Sequence, residues 1–150
     1  MITVKPATIG ALSLIGANLN DADRREIEAL TATPSELVAA GHTGEHSSVA
    51  YYNGQPAAAF GFSPFMGSTW SAWMFGTVKS WRCVPAITAH FHVGCDIARS
   101  QGCKRLELRS IEGHLTAQSW LENHLGFKRA CVMPAFGLRG ETFILFERVL

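Results

Sequence analysis

Apolar and polar positions along this chain follow two rhythms, one of period near 3.6 and one of period two. The longest helical stretch lies between Pro85 and Gly102, where Ile87, Phe91, Gly94, Cys95 and Ala98 recur at three- and four-residue steps. Pro85 suits a first helical position, because a helix start leaves that N–H unpaired anyway. Gly102 suits the residue just past the end. An apolar strand precedes this helix (Trp70 to Val78) and another follows it, with Leu106 and Leu108 inward. The loop and the helix start of such a unit offer backbone N–H groups to an anion.

The remaining pattern completes the layout. Ile2 and Val4 alternate with Thr3 and Lys5, a short strand stopping before Pro6. Apolar positions 9, 12, 15 and 19 predict a helix over Ile9 to Leu19. Asn20 or Asp21 caps a second helix, Ala22 to Leu30, with Asp23, Arg24, Arg25, Glu26 and Glu28 on its outer face. Thr33-Pro34-Ser35-Glu36 reads as a capping box opening a short helix that ends at Gly41. A polar loop spans His42 to Ser48. Val49 to Tyr52 and Pro56 to Phe62 flank the hairpin signal Asn53-Gly54. Pro64 to Gly67 makes a second turn, and Ser68 to Val78 the next strand. After Gly102 come a strand (Lys104 to Ser110), a helix (Leu115 to Leu125), a strand (Phe127 to Met133), a loop (Ala135 to Gly140) and a last strand (Thr142 to Val149). The order is β α α (α) β β β α β α β β, a mixed α/β or α+β fold with one parallel crossover.

Composition narrows the function classes. One domain over residues 1–150 is expected from the length. The formal net charge of +1 argues against a bulk electrostatic grip on nucleic acid or anionic membrane. No apolar run approaches the ~20 residues of a membrane helix. The opening MITVKPAT reads as neither signal nor transit peptide, so the cytoplasm is the expected compartment. Cys83, Cys95, Cys103 and Cys131 form no CxxC pair and read as reduced, largely buried thiols, not a zinc site. Cys83, near a helix start, has the further option of a lowered pKa. His90 and His92, two apart on one helix, point to nearly opposite sides, so no metal is expected there.

The chain resembles the GNAT superfamily of N-acetyltransferases. The opening ITVKPAT is similar to that family's first strand. NGQPAAAFGF and STWSAWMFGTV are similar to its second to fourth strands, and KRLELRS to its fifth. Arg82 to Gly102 matches the helix that runs from a pyrophosphate-binding arginine, and AQSWLENHLGFKRA matches the last helix with its Leu125-Gly126-Phe127 ending. The resemblance implies a mainly antiparallel central sheet of about six to seven strands with helices on both faces. The glycine-rich cofactor loop of the family is replaced here: Pro85 and Ile87 stand where glycines belong, and Glu122 stands where a tyrosine is frequent. A Trp81-Arg82 pair in that place is similar to small GNAT-like proteins of T7-type short-tailed phages, which implies a phage origin.

The resemblance implies acetyl transfer from acetyl-CoA to an unidentified amine. The backbone at Phe75, Gly76, Thr77 and Val78 would then bind the pantetheine arm, and Lys79 and Arg82 the pyrophosphate, with Trp81 over a ligand or a partner. Glu107, Glu122 and, third, His114 are candidate bases, with Ser119 a lesser proton donor. Each has an ordinary alternative: a solvated or salt-bridged carboxylate, or a loop histidine. The other functional expectation is a non-catalytic GNAT-like phage protein with a role in virion assembly or host interaction. A homodimer through exposed sheet edges is a further expectation.

Overall fold

The computed structural model describes residues 1–41 and 44–150. The chain runs β1 (Ile2–Pro6), α1 (Ile9–Ala17), α2 (Asp21–Leu30), α3 (Pro34–Gly41), β2 (Ser47–Tyr52), β3 (Gln55–Met66), β4 (Thr69–Gly76), a 3-10 turn (Ser80–Cys83), α4 (Val84–Ser100), β5 (Arg105–Ile111), α5 (Leu115–Asn123), β6 (Lys128–Met133) and β7 (Phe143–Val149). Seven strands form one sheet in the order β1-β2-β3-β4-β5-β7-β6. Every neighbouring pair is antiparallel except β4 and β5, the parallel pair joined by α4. The expected polar loop falls partly on His42 and Thr43, which lie outside the described residues.

Side chains alternate across the strands and split the core into two layers. Val49, Ala59 and Phe75 pack on Leu12, Ile15, Ile27 and Val38 from α1, α2 and α3. Ala50, Ala58 and Phe60 face the other way, onto Cys83 and Ile87. Further along that side Leu106 and Phe146 meet Phe91, Cys95 and Leu121. Helices therefore cover both faces. The apolar stripe of α4 is buried at Ile87, Phe91, Cys95 and Ala98 as the spacing predicts. Gly94 sits in that stripe because a Cβ there would overlap the Phe62 ring.

Several boundaries differ from the sequence pattern for local reasons. β3 continues through Pro64 to Met66, and the tight turn falls at Gly67 and Ser68. Pro64 pairs with Trp70 next to a register shift, so a bulge accommodates its missing N–H. β1 takes in Pro6, which its place at the sheet edge permits. A 3-10 turn occupies the loop before α4, so the helix starts at Val84 and Pro85 is its second residue. α1 stops at Ala17, where the Asn18 N–H closes on the Ile15 carbonyl. Of the four cysteines, three are buried and Cys131, on the edge strand β6, is exposed. Burial pushes the Cys83 thiol up, the opposite of an activated thiolate.

Candidate active site

β4 and β5 pair at only three positions, Thr69 with Arg105, Trp70 with Leu106 and Ser71 with Glu107. Beyond Ser71 the two strands part, β4 running on to Gly76 and β5 to Ile111. A cleft of about 820 Å³ opens there, walled largely by Phe60, Trp73, Phe75, Ile87, Leu108 and Trp120. Its polar lining includes Asp23, Glu26, Ser110 and His114.

Helix α2 bridges the parted strands. Asn20 caps it, its side-chain oxygen accepting the Asp23 N–H at 2.9 Å. The Asn20 Nδ2 and backbone N–H both donate to the Gly76 carbonyl at 2.9 Å. Asp23 Oδ2 accepts the Gly76 N–H at 2.8 Å, and its Oδ1 meets His114 Nε2 at 3.0 Å. One turn further, Glu26 Oε1 accepts the Ile111 N–H of β5 at 2.7 Å. Three acids and amides of α2 thus fill the backbone hydrogen bonds that a directly paired β4 and β5 would share.

This pattern corrects the expected outer face of α2. Asp23 and Glu26 point inward beside the buried Ile27, not to solvent. The environment changes the chemistry of Glu26 and of His114. Burial lifts the Glu26 carboxyl from 4.5 to about 7, against the Ile111 N–H and the nearby imidazole, which pull it down. The Asp23 hydrogen bond holds His114 above its ordinary value, and the Glu26 charge adds to it. Among the described residues His114 Nδ1 has no hydrogen-bond partner, so the neutral ring with its Nε2 proton on Asp23 presents a free lone pair.

The other expected site residues divide. Phe75, Thr77, Val78 and Trp81 line the cleft, with Ser119 on the α5 side. Gly76 is in place, but its N–H and carbonyl are already taken by Asp23 and Asn20. Lys79 and Arg82 stand on the turn outside it. Arg82 is stacked between Trp81, 4.5 Å from the ring centre, and Tyr52 at 5.2 Å. Among the described residues neither cation has a carboxylate partner. Glu107 lies outside the cleft lining, between Arg105 Nε at 2.9 Å and Arg109 Nη2 at 3.4 Å. Glu122 likewise faces Arg129 Nε at 3.4 Å. Both carboxylates make the ion pairs that were the ordinary alternative to a base. His90 Nδ1 turns back to the Ala86 carbonyl and His92 Nε2 to that of His124. Among the described residues no group of three His, Cys, Asp or Glu side chains is arranged to hold a metal ion.

Several amides of the turn after β4 are already engaged. Thr77 N–H donates to Ala57, Lys79 N–H to Thr77 Oγ1 and Ser80 N–H to the Thr77 carbonyl. Pro85 removes a further donor at the helix start. A phosphate here would be held by the side-chain cations of Lys79 and Arg82 more than by a backbone cradle.

No family model matches the sequence, and no curated protein does. Solved structures do match by shape. An N-acetyltransferase from Staphylococcus aureus Mu50 superposes with TM-score 0.75 at 16% identity, over 99% of this chain and 98% of that one. An acetyltransferase of the GNAT family from Streptococcus pneumoniae gives 0.68 at 14% identity, over 100% and 99%. A Salmonella typhimurium protein assigned as an acetyltransferase, solved with its cofactor acetyl-CoA, gives 0.72 at 15% identity, over 99% and 94%. At such identities the likeness speaks for architecture: the chain has the fold of the GNAT N-acetyltransferases.

Proposed function

We propose that the chain transfers an acetyl group from acetyl-CoA to an amine, with His114 as the proton acceptor. One observation carries this reading: the His114–Asp23 pair lies in an apolar cleft at the parting of β4 and β5. Acetyl-CoA would supply the thioester, its acyl end between Phe75 and Trp120 and its phosphates near Lys79 and Arg82. The residues of the chain do the rest. The apolar walls exclude water from the reacting groups. Asp23 fixes the imidazole through Nε2, leaving Nδ1 to take a proton from the acceptor ammonium. The free amine then forms the C–N bond as the C–S bond breaks, and its remaining extra proton goes to the departing thiolate. Thiol release measured against a panel of amines, with wild type and His114→Gln, tests this. Turnover lost by at least about a hundredfold in the variant supports it; equal turnover contradicts it.

A second reading is a non-catalytic GNAT-like protein that binds another protein, in phage assembly or in contact with the host. It is favoured by Gly76 being closed off by Asn20 and Asp23. Phe65, Met66 and Leu138, all more than half exposed, supply apolar surface for such contacts. Placement in the host cytoplasm or the virion, and pairing as a homodimer, go with this reading. Native mass spectrometry of the purified protein separates the two, since a retained CoA species favours transfer and a stoichiometric protein partner favours assembly.

A further inference from the structure

Glu26 stands one turn beyond Asp23 on the same face of α2 and lines the cleft with it and with His114. Its Oε1 anchors the Ile111 N–H at 2.7 Å, joining positions 85 residues apart. The carbonyl of the same Ile111 accepts the His114 N–H at 3.2 Å and Gln118 Nε2 at 2.9 Å. The turn that carries the imidazole therefore hangs from the residue that Glu26 holds. Gln118 is itself fully buried and bonded to Ser110 Oγ at 3.2 Å, so this end of β5 is braced from α2 and α5 together.

We propose that Glu26 is a positioning residue for His114, anchoring through the Ile111 N–H the turn that carries the imidazole. The inference rests on His114 being the proton acceptor. Glu26 is faced by Ser110 and Ile111 of β5, by His114 of the following turn and by Asp23 of its own helix. His114 is faced in addition by Arg25, whose charge opposes its protonation. Asp23 and His114 form one hydrogen-bonded unit beside Glu26, whose charge favours the imidazolium. When an ammonium donates its proton, the unit gains one proton and one positive charge. It returns that proton to solvent after the products leave.

The test follows the His114 Cε1–H resonance against pH in wild type, Glu26→Gln and Glu26→Ala, assigned with His114→Gln. Glutamine keeps an oxygen for the Ile111 N–H and removes the charge; alanine removes both. The wild-type curve is expected to show two steps. In Glu26→Gln one step is expected, with its midpoint lowered by roughly half a pH unit or more. In turnover, the midpoint of the kcat pH profile is expected to move the same way, with KM for the amine held within about twofold. A single wild-type step at the ordinary histidine value, or identical curves in wild type and Glu26→Gln, would overturn the proposal. Should Glu26→Ala not fold, the Gln variant and the wild-type curve decide it. Absence of acetyl-CoA turnover in wild type would defeat the transferase reading alone, because the resonance still reports on Glu26.

Discussion

The Asp23 carboxylate accepts the backbone N–H of Gly76 at 2.8 Å, tying helix α2 to the open end of β4 across 53 positions. The same carboxylate holds His114 through its other oxygen at 3.0 Å. One side chain thus closes the gap in the sheet and orients the imidazole. Asp23→Ala leaves the Gly76 N–H and the imidazole without that partner. A loss of about 2–4 kcal/mol of unfolding free energy is expected by urea denaturation. A change below about 0.5 kcal/mol would show that the tie contributes little.

Stability is expected to fall as pH rises from about 5 to 8. Glu26 is raised from 4.5 to about 7 in the folded chain, so between those values the native state holds a proton that the unfolded state has lost. That contribution is fully present below 4.5 and gone once pH passes about 7, an effect on the order of 3 kcal/mol. His114, also raised, acts in the same direction above its ordinary 6.5. Denaturation midpoints across this range measure the slope. Glu26→Gln should flatten it, and an unchanged slope would remove Glu26 as its source.

Gly94 faces the Phe62 ring so closely that a methyl group has no room. Gly94→Ala should cost about 1–3 kcal/mol through displacement of Phe62 or α4. Thermal unfolding reads this directly. Gly10, with open space around its Cα, is the control.

Arg82 is exposed, and among the described residues its guanidinium is held by stacking on the Trp81 and Tyr52 rings. Arg82→Ala should leave stability within about 0.5 kcal/mol. It should weaken CoA binding by about tenfold, while binding of pantetheine, which lacks the nucleotide and its phosphates, stays unchanged. Equal losses for both ligands would place the arginine elsewhere than at the phosphates.

The element order was legible because the period-two and period-3.6 patterns are clean where strands and helices are half-buried, as in β5 and α4. The turn at Asn53-Gly54 was legible too, both residues taking positive φ. The site was not. Asp23 and Glu26 sit among charged neighbours in DADRREIEAL, which reads as a solvated face. Their spacing from Ile27 and Leu30 does put all four on one helical face, the one signal that could have shown them turning inward. The capture of Gly76 and Ile111 by α2 links residues 53 and 85 positions apart, and no local pattern encodes such a contact. Glu107 sits on β5 at a position suited to a base, but Arg105 and Arg109 on the same strand are spaced to pair with it.

Acyl-CoA recognition is the central claim, and isothermal titration of the purified chain with acetyl-CoA and with CoA tests it most directly. Saturable one-to-one binding with Kd between about 1 and 100 μM is the expected result. No heat of binding at about 1 mM of either ligand would contradict it.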